Sequence, residues 1–261
     1  MQKINSESSA YATDLSAMQA VLVKACLDGH LSRLRKYKAI DILNAIAYVV
    51  RSGCQWSMLP SGFPGWKTVY HHFRSLSERG WFISFLSTLV EAKRASMGQA
   101  PEPQTGVMDS QSVRSALPHS EKGVDGNKKI KGIKRHVTVD SNGYVIGVSV
   151  TTANVHDSKG AIPLIAQFVV NHRDIHLLKT DLGYVSLGTA LSNIESPVLE
   201  CIKSNFGTPH FIPIHGRWVV ERTFSWMENY RRLTRNYERL LKVARHIFIV
   251  GCVFFMLRYF A

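Results

Sequence analysis

The spacing of apolar residues divides the chain into a helical first part and a mixed second part. In the first part, apolar positions recur every three or four residues, as on one helix face, within residues 15–27, 41–50 and 66–73. Asp14 is placed to cap the first of these helices. The last two flank a Gly-containing turn, which predicts either a helix-turn-helix-like DNA reader or a small packing bundle that does not enter a DNA groove.

From residue 105 onward, short strands alternate with helices. Strands are predicted at residues 105–109, 134–140, 144–152, 175–179 and 198–203, and helices at 158–170, 185–194 and from 217 onward. The Asn142-Gly143 pair between the second and third strands is a strong hairpin signal. This element order is that of an α/β, ribonuclease H-like fold, in which a mixed sheet has helices on both faces.

A segment rich in Gly, Pro and polar residues, 96–106, resembles a linker. We therefore predict a small N-terminal all-α domain, helix-turn-helix-like, at residues 1–98 and a ribonuclease H-like catalytic domain at residues 99–261. The apolar stretch 247–257 has 11 residues, whereas a membrane-spanning helix needs about 20. It therefore predicts a helix buried in the core and no membrane association.

The charge balance narrows the expected partners. The chain has 32 Lys and Arg against 19 Asp and Glu, a net charge of +13, which attracts polyanions such as nucleic acid, anionic membranes or acidic proteins. The four cysteines form no Cys-x-x-Cys pair, as expected for reduced thiols without a zinc site. Residues 1–14 lack the apolar core of a signal peptide. We therefore expect a cytoplasmic protein.

Three acidic residues lie at points of this fold where they could meet. Asp109 ends the first strand, Asp181 follows the strand at 175–179, and Glu221 lies in the first turns of the last helix. Carboxylate oxygens select Mg²⁺ or Mn²⁺, and two such ions about 4 Å apart can clamp the attacking and leaving oxygens of a phosphoryl transfer. Each carboxylate taken singly is more often a helix cap, a turn former or a solvated side chain.

Basic residues near these positions are candidates for DNA contact. One run is expected to follow a DNA backbone: Lys128, Lys129, Lys131, Lys134, Arg135 and His136. A second patch is formed by Arg231, Arg232, Arg235 and Arg239. Arg217 lies four residues before Glu221 on the same helix face, where it either contacts a phosphate or pairs with Glu221. Trp218 and Trp226 are expected in the core. His156 and Asp157 could approach the metal site, although the position of Asp157 favours a turn and helix cap.

Several motifs together resemble the DDE transposases of bacterial insertion sequences, of the insertion-sequence-five type within the broader insertion-sequence-four/five superfamily. They lie at residues 51–56, 63–70, 107–113, 128–140, 153–157, 181–184 and 217–226. The resemblance covers nearly the whole chain. Leu182 stands where Gly is common in that family, and Ile214 and Glu228 stand at the Tyr and Lys positions of its pattern around Glu221.

The resemblance implies a DNA transposase with a ribonuclease H-like catalytic domain. By the same resemblance, Asp109, Asp181 and Glu221 would bind two Mg²⁺ or Mn²⁺ ions. The enzyme would bind the terminal inverted repeats of its element as a homodimer in the bacterial nucleoid, cleave the ends, and join the 3′-hydroxyl to double-stranded target DNA. The alternatives are a DNA-binding regulator derived from a transposase and a nuclease of the same fold that does not join ends.

Overall fold

A computed structural model describes residues 11–27, 37–171, 174–191, 197–201 and 218–261. It opens with four helices: α1 (Ala17–Leu27), α2 (Ala39–Ser52), α3 (Trp66–Glu78) and α4 (Trp81–Ser96). The first three confirm the predicted helices, and α4 adds a helix with a wide aromatic face. Ser16, not Asp14, caps α1: its hydroxyl accepts the backbone N–H of Gln19 at 3.2 Å, and the Gln19 side chain accepts the backbone N–H of Ser16 at 3.0 Å.

The connection between α2 and α3 differs from a helix-turn-helix. It runs over residues 53–65 and contains a 3-10 turn at Trp56–Met58, whereas the turn of a helix-turn-helix has about three or four residues. The helical region is therefore as predicted, but its geometry favours the packing bundle over the groove reader.

Within the described residues, one mixed sheet has six strands. They are β1 (Thr105–Arg114), β2 (Gly123–Asp125), β3 (Ile130–Val139), β4 (Val145–Thr152), β5 (Leu177–Thr180) and β6 (Val198–Cys201). β1 lies at the centre, antiparallel to β3 and parallel to β5, which is parallel to β6; β2 and β4 both pair with β3. This arrangement, with the helices described next, confirms the ribonuclease H-like fold.

The hairpin between β3 and β4 is built as its sequence predicts. Gly143 has φ 87°, in the left-handed region that glycine enters without steric cost. Asp140 is fully buried before the turn and accepts hydrogen bonds from the backbone N–H groups of Asn142 (2.9 Å) and Tyr144 (2.8 Å). It also pairs with Arg94 of α4 at 2.5 Å, so the hairpin is fastened to the helical region.

Four helices complete the described fold: α5 (Asp157–Asn171), α6 (Val185–Leu191), α7 (Trp218–Glu228) and α8 (Leu241–Leu257). α5 packs on β3 and β4, and α7 packs on β1 and β3. The expected single long helix from residue 217 is wrong, because the chain is interrupted between α7 and α8. There Asn236 exchanges backbone hydrogen bonds with Arg114 and Ala116 at the end of β1, which a helical backbone could not do.

Helix α8 forms the centre of the hydrophobic core. It packs against α2, α4 and β4, and nearly all its residues are buried. Among the described residues, only Leu241–Phe260 is long and apolar enough to cross a membrane, but 78% of its apolar window is buried inside the protein. This confirms a core helix at residues 247–257. Because helices and sheet share one core, the domain boundary at residue 98 stays a prediction.

Candidate active site

Two of the predicted carboxylates lie in register on neighbouring strands. The predicted strand end at Asp109 is wrong, because β1 continues to Arg114 and Asp109 lies within it, whereas Asp181 directly follows β5. In the parallel pairing of β1 with β5, Thr105 is opposite Leu177 and Val107 is opposite Lys179. Continuing this register by two residues places Asp109 beside Asp181. Adjacent strands are about 4.8 Å apart, so the two backbones bring these side chains to the same place on the same face.

Both aspartates also have local backbone partners. Asp109 Oδ1 accepts the backbone N–H of Ser110 at 2.7 Å. Asp181 caps the 3-10 turn at Leu182–Tyr184, and its Oδ1 accepts the backbone N–H of Gly183 at 2.9 Å. Each carboxylate is therefore oriented by the peptide that follows it.

The third predicted carboxylate, Glu221, lies on the helix that covers this face. Gln111 shares the face of Asp109, because it is two residues further along β1, and its side chain donates to Glu228 of α7 at 3.3 Å. Glu221 and Glu228 are two helical turns apart on the exposed stripe of α7. The structure thus places Glu221 on the helix that packs over the Asp109 face of the sheet.

Asp109, Asp181 and Glu221 do not form a complete metal-binding site in this structure. Within the described part of the chain, no three His, Cys, Asp or Glu side chains lie close enough together to hold a metal ion. Carboxylates repel one another, and a cation between them removes that repulsion. The donor set suits Mg²⁺ or Mn²⁺, and the assignment of Asp109, Asp181 and Glu221 as the triad stays a prediction.

Asp157 lies close to these aspartates, the alternative to a simple helix cap that the sequence left open. It begins α5, where its Oδ1 accepts the hydroxyl of Ser110 at 2.8 Å and pairs with Lys134 Nζ at 2.9 Å. Burial acts to raise the pKa of Asp157, but the hydrogen bonds from Lys134 and Ser110 outweigh it and leave the pKa below its ordinary value. The available signal was an aspartate at the start of a predicted helix, a few residues after a predicted strand.

Tyr184 is buried among these acidic groups. Its side chain is fully buried, and its hydroxyl lies beside the Ser110 side chain. Burial, followed by the charges of Asp109, Asp157 and Asp181, raises the pKa of Tyr184 well above its ordinary value. A neutral O–H donor therefore lies beside the carboxylates of β1, α5 and the β5 turn.

The basic run of β3 is divided into an exposed and a buried half. Lys128, Lys129 and Lys131 are exposed at the start of the strand. Lys134, Arg135 and His136 are only 6%, 4% and 0% exposed. Their predicted contact with a DNA backbone is wrong, because β3 is a central strand covered on both faces.

Each buried member of the run has an internal partner instead. Arg135 donates to the backbone carbonyl of Leu233 at 2.9 Å and lies over the ring of Phe248, and burial lowers its pKa to about 10. His136 contacts Thr151 at 3.0 Å, and burial lowers its pKa to about 4. Both are therefore structural residues of the sheet.

The second basic patch is also only partly exposed. Arg231 is exposed, whereas Arg232 is buried, pairs with Glu238 at 2.7 Å and donates to the Cys54 carbonyl at 3.0 Å. The predicted DNA contact of Arg232 is therefore wrong, and its role is to join the helical region to the residues after α7. Arg235 and Arg239 remain exposed.

The residues around Glu221 differ from the expectation of a buried aromatic pair. Trp218 is 39% exposed, and the guanidinium of Arg222 lies between the rings of Trp218 and Trp226 at 4.3 and 4.4 Å. Arg222 also donates to the carbonyl of Asn142 at 2.6 Å, which ties α7 to the hairpin. Arg217 and Ile214 lie outside the described residues, so the predicted contact of Arg217 stays a prediction.

Comparisons with known proteins agree with this geometry. The family model "Transposase DDE domain" matches residues 100–195 and 214–256, which is more than half of the chain. The model "Putative transposase of IS4/5 family" matches residues 16–86. Together the two models cover α1 to the first part of α4, five of the six described strands and α5 to most of α8.

The chain is also similar to a known protein that is described as a transposase. The "Putative transposase for insertion sequence element IS402" of Burkholderia cepacia is 28% identical over 128 residues. The match covers 46% of this chain and 61% of that relative, so the chain spans less than two thirds of the relative's length. With the DDE model matched over β1–β5, α5, α6, α7 and most of α8, the chain belongs to the DDE transposases, and its helical region is similar to the putative transposases of the IS4/5 family.

Proposed function

We propose that this chain is a metal-dependent DNA transposase that cleaves the ends of a mobile element and joins the freed 3′-hydroxyl to target DNA. The observation that carries this proposal is the parallel register of β1 with β5, which sets Asp109 beside Asp181 when it is continued by two residues. Membership of the DDE transposases supports it. Its action in the bacterial cytoplasm, on terminal inverted repeats and as a homodimer, is part of the same proposal.

Asp109, Asp181 and Glu221 would hold two Mg²⁺ or Mn²⁺ ions. When bound, such ions stabilise the charge that develops on the attacking and leaving oxygens of a phosphodiester. The chain's own residues orient the carboxylates through Ser110 N–H and Gly183 N–H. Because the three acids are not yet close enough together to hold a metal, Glu221 would complete the site through a change of its side chain or a small shift of α7.

The exposed half of the β3 run would supply the DNA contacts. Lys128, Lys129 and Lys131 stand at the end of β3 that pairs with the end of β1 beyond Asp109. Arg231, Arg235 and Arg239 are exposed beyond α7. Exposed cations of this kind neutralise phosphates without reading sequence, and with the net charge of +13 they favour binding of double-stranded DNA.

Single substitutions test the catalytic assignment. Asp109→Asn, Asp181→Asn and Glu221→Gln each remove one carboxylate with little change in volume. We expect each to reduce cleavage of a labelled duplex, made from the DNA that brackets the gene, by roughly 1,000-fold or more with Mg²⁺ present, while a gel-shift assay shows unchanged DNA binding. Glu228→Gln, on the same stripe of α7, is the matched control and should cut normally. Normal cleavage by any one of the three variants would remove that residue from the site.

The same DNA substrate distinguishes a transposase from two related functions, a DNA-binding regulator and a nuclease that does not join ends. A DNA-binding regulator would retard the duplex and leave it uncut at any Mg²⁺ concentration. A nuclease of this fold would cut it but yield no product joined to a second duplex. A strand-transfer assay with a labelled 3′-hydroxyl end therefore distinguishes all three.

A further inference from the structure

We propose that Asp157 is a positioning residue of the proposed metal site, holding the strand of Asp109 and the turn of Asp181 without being a metal ligand. This inference rests on the proposed function. It concerns four residues, called here the Asp157 network: Ser110, Lys134, Asp157 and Tyr184. The network lies where the middle of β1 and the turn after β5 meet the start of α5.

Asp157 holds Ser110 from the face of the sheet opposite Asp109. Successive side chains of a strand point to opposite faces, so Ser110 faces α5 when Asp109 faces α7. The Ser110 hydroxyl donates to Asp157 at 2.8 Å, and the Ser110 backbone N–H donates to Asp109 at 2.7 Å. Fixing the serine side chain therefore fixes the peptide that orients the Asp109 carboxylate.

The other oxygen of Asp157 faces the turn of Asp181. A Cβ added to Gly183 would lie 3.0 Å from Asp181 Oδ1 and 3.8 Å from Asp157 Oδ2. The two carboxylates thus approach the same point of the turn from different sides. Because Gly183 has no side chain, it leaves room for both of them.

Lys134 supplies the counter-charge that makes this arrangement stable. Its ammonium group lies 2.9 Å from Asp157 Oδ1 and 3.7 Å from Asp125 Oδ2, and it donates to the Val155 carbonyl at 3.0 Å. The Lys134 side chain is only 8% exposed, so its charge acts inside the network. Oδ1 of Asp157 thus accepts from both a hydroxyl and an ammonium group, which suits a supporting role better than metal coordination.

Tyr184 belongs to the same side of the network. Its side chain is fully buried, and its hydroxyl lies beside the Ser110 side chain and near the charges of Asp109, Asp157 and Asp181. The turn that follows Asp181 is thereby packed against Ser110, the residue whose hydroxyl Asp157 accepts.

The test measures Mn²⁺ binding to the full chain without DNA, by isothermal titration calorimetry. Residues that orient metal ligands typically contribute 10- to 100-fold to metal affinity, so Asp157→Asn should weaken Mn²⁺ binding roughly tenfold. DNA affinity should not change. Asp125→Asn is the matched control, because it removes the other carboxylate partner of Lys134 outside the site, and it should bind Mn²⁺ within about twofold of the original chain.

Two outcomes would overturn the inference: Mn²⁺ binding by Asp157→Asn equal to that of the unaltered chain, or its complete loss as in Asp109→Asn, which would make Asp157 a ligand. Ser110→Ala gives a second route if Asp157→Asn does not fold. It should weaken Mn²⁺ binding a few-fold, and normal binding would again contradict the positioning role. Normal Mn²⁺ binding by Asp109→Asn would instead contradict the proposed function itself.

Discussion

The two halves of the basic run on β3 have the same charge and opposite surroundings. Lys128, Lys129 and Lys131 are exposed, whereas Lys134, Arg135 and His136 are buried with partners on α5, β4 and the segment after α7. The exposed half can bind a polyanion at little cost to stability. The buried half stabilises the sheet and the Asp157 network, so its charges form internal contacts and do not bind DNA.

The largest expected effect comes from removing the charge of Lys134. Lys134→Met leaves Asp125 and Asp157 without their shared cation, and breaking a buried ion pair costs about 3–5 kcal/mol. Because Asp157 is 30% exposed, we expect a decrease of about 3 kcal/mol in the free energy of unfolding, measured by urea denaturation. Lys131→Met, in the exposed half of the same strand, is the control and should stay within about 0.5 kcal/mol. Equal stability of Lys134→Met and Lys131→Met would contradict the conclusion that Lys134 is buried in an ion pair and Lys131 is not.

A pH titration of stability addresses the buried histidine. The pKa of His136 falls from 6.5 to about 4 in the folded chain, so between these pH values the unfolded chain binds more protons and stability decreases as pH falls. His136→Gln should remove about 3 kcal/mol of that decrease. Burial also lowers the pKa of His246 to about 4. His246 therefore decreases stability at low pH equally in the original chain and in His136→Gln, and its effect cancels in the comparison. Urea denaturation at pH 7, 6, 5 and 4 measures the difference, and superimposable pH profiles would show that His136 is not held neutral by burial.

Substitutions in the exposed half of the run are expected to have the smallest effect on stability and the clearest effect on DNA binding. Replacing Lys128, Lys129 and Lys131 together by Ala should change the free energy of unfolding by less than about 0.5 kcal/mol. It should weaken DNA binding and reduce the slope of log affinity against log salt by about 0.9 for each DNA phosphate that the variant no longer neutralises. Fluorescence anisotropy at several salt concentrations measures both, with Lys24→Ala on α1 as control. If the slope of log affinity against log salt does not change, Lys128, Lys129 and Lys131 do not contact the DNA backbone.

Much of the sheet follows from local sequence, because alternation and Asn142-Gly143 specify the β3–β4 hairpin without distant information. The positions of Asp109 and Asp181 on two strands that pair in parallel likewise predict their meeting once the strand order is known, although β1 continues beyond Asp109 to Arg114. Burial of Lys134 and Arg135 could not be predicted in this way, because it depends on β1 and β4 flanking β3 and on helices from distant parts of the chain. The break between α7 and α8 depends on Asn236 pairing with the end of β1, a contact between residues more than 100 positions apart.

Helix α8 has a consequence for how the chain acquires its structure during synthesis. The apolar faces of α2 and α4 are completed by residues that a ribosome adds more than 140 positions later than the end of α4. Until those residues leave the exit tunnel, the faces of α2 and α4 that α8 later covers lack that cover. A fragment that contains only the first four helices would lack it permanently, so a search for the DNA-contacting surface requires the chain through α8.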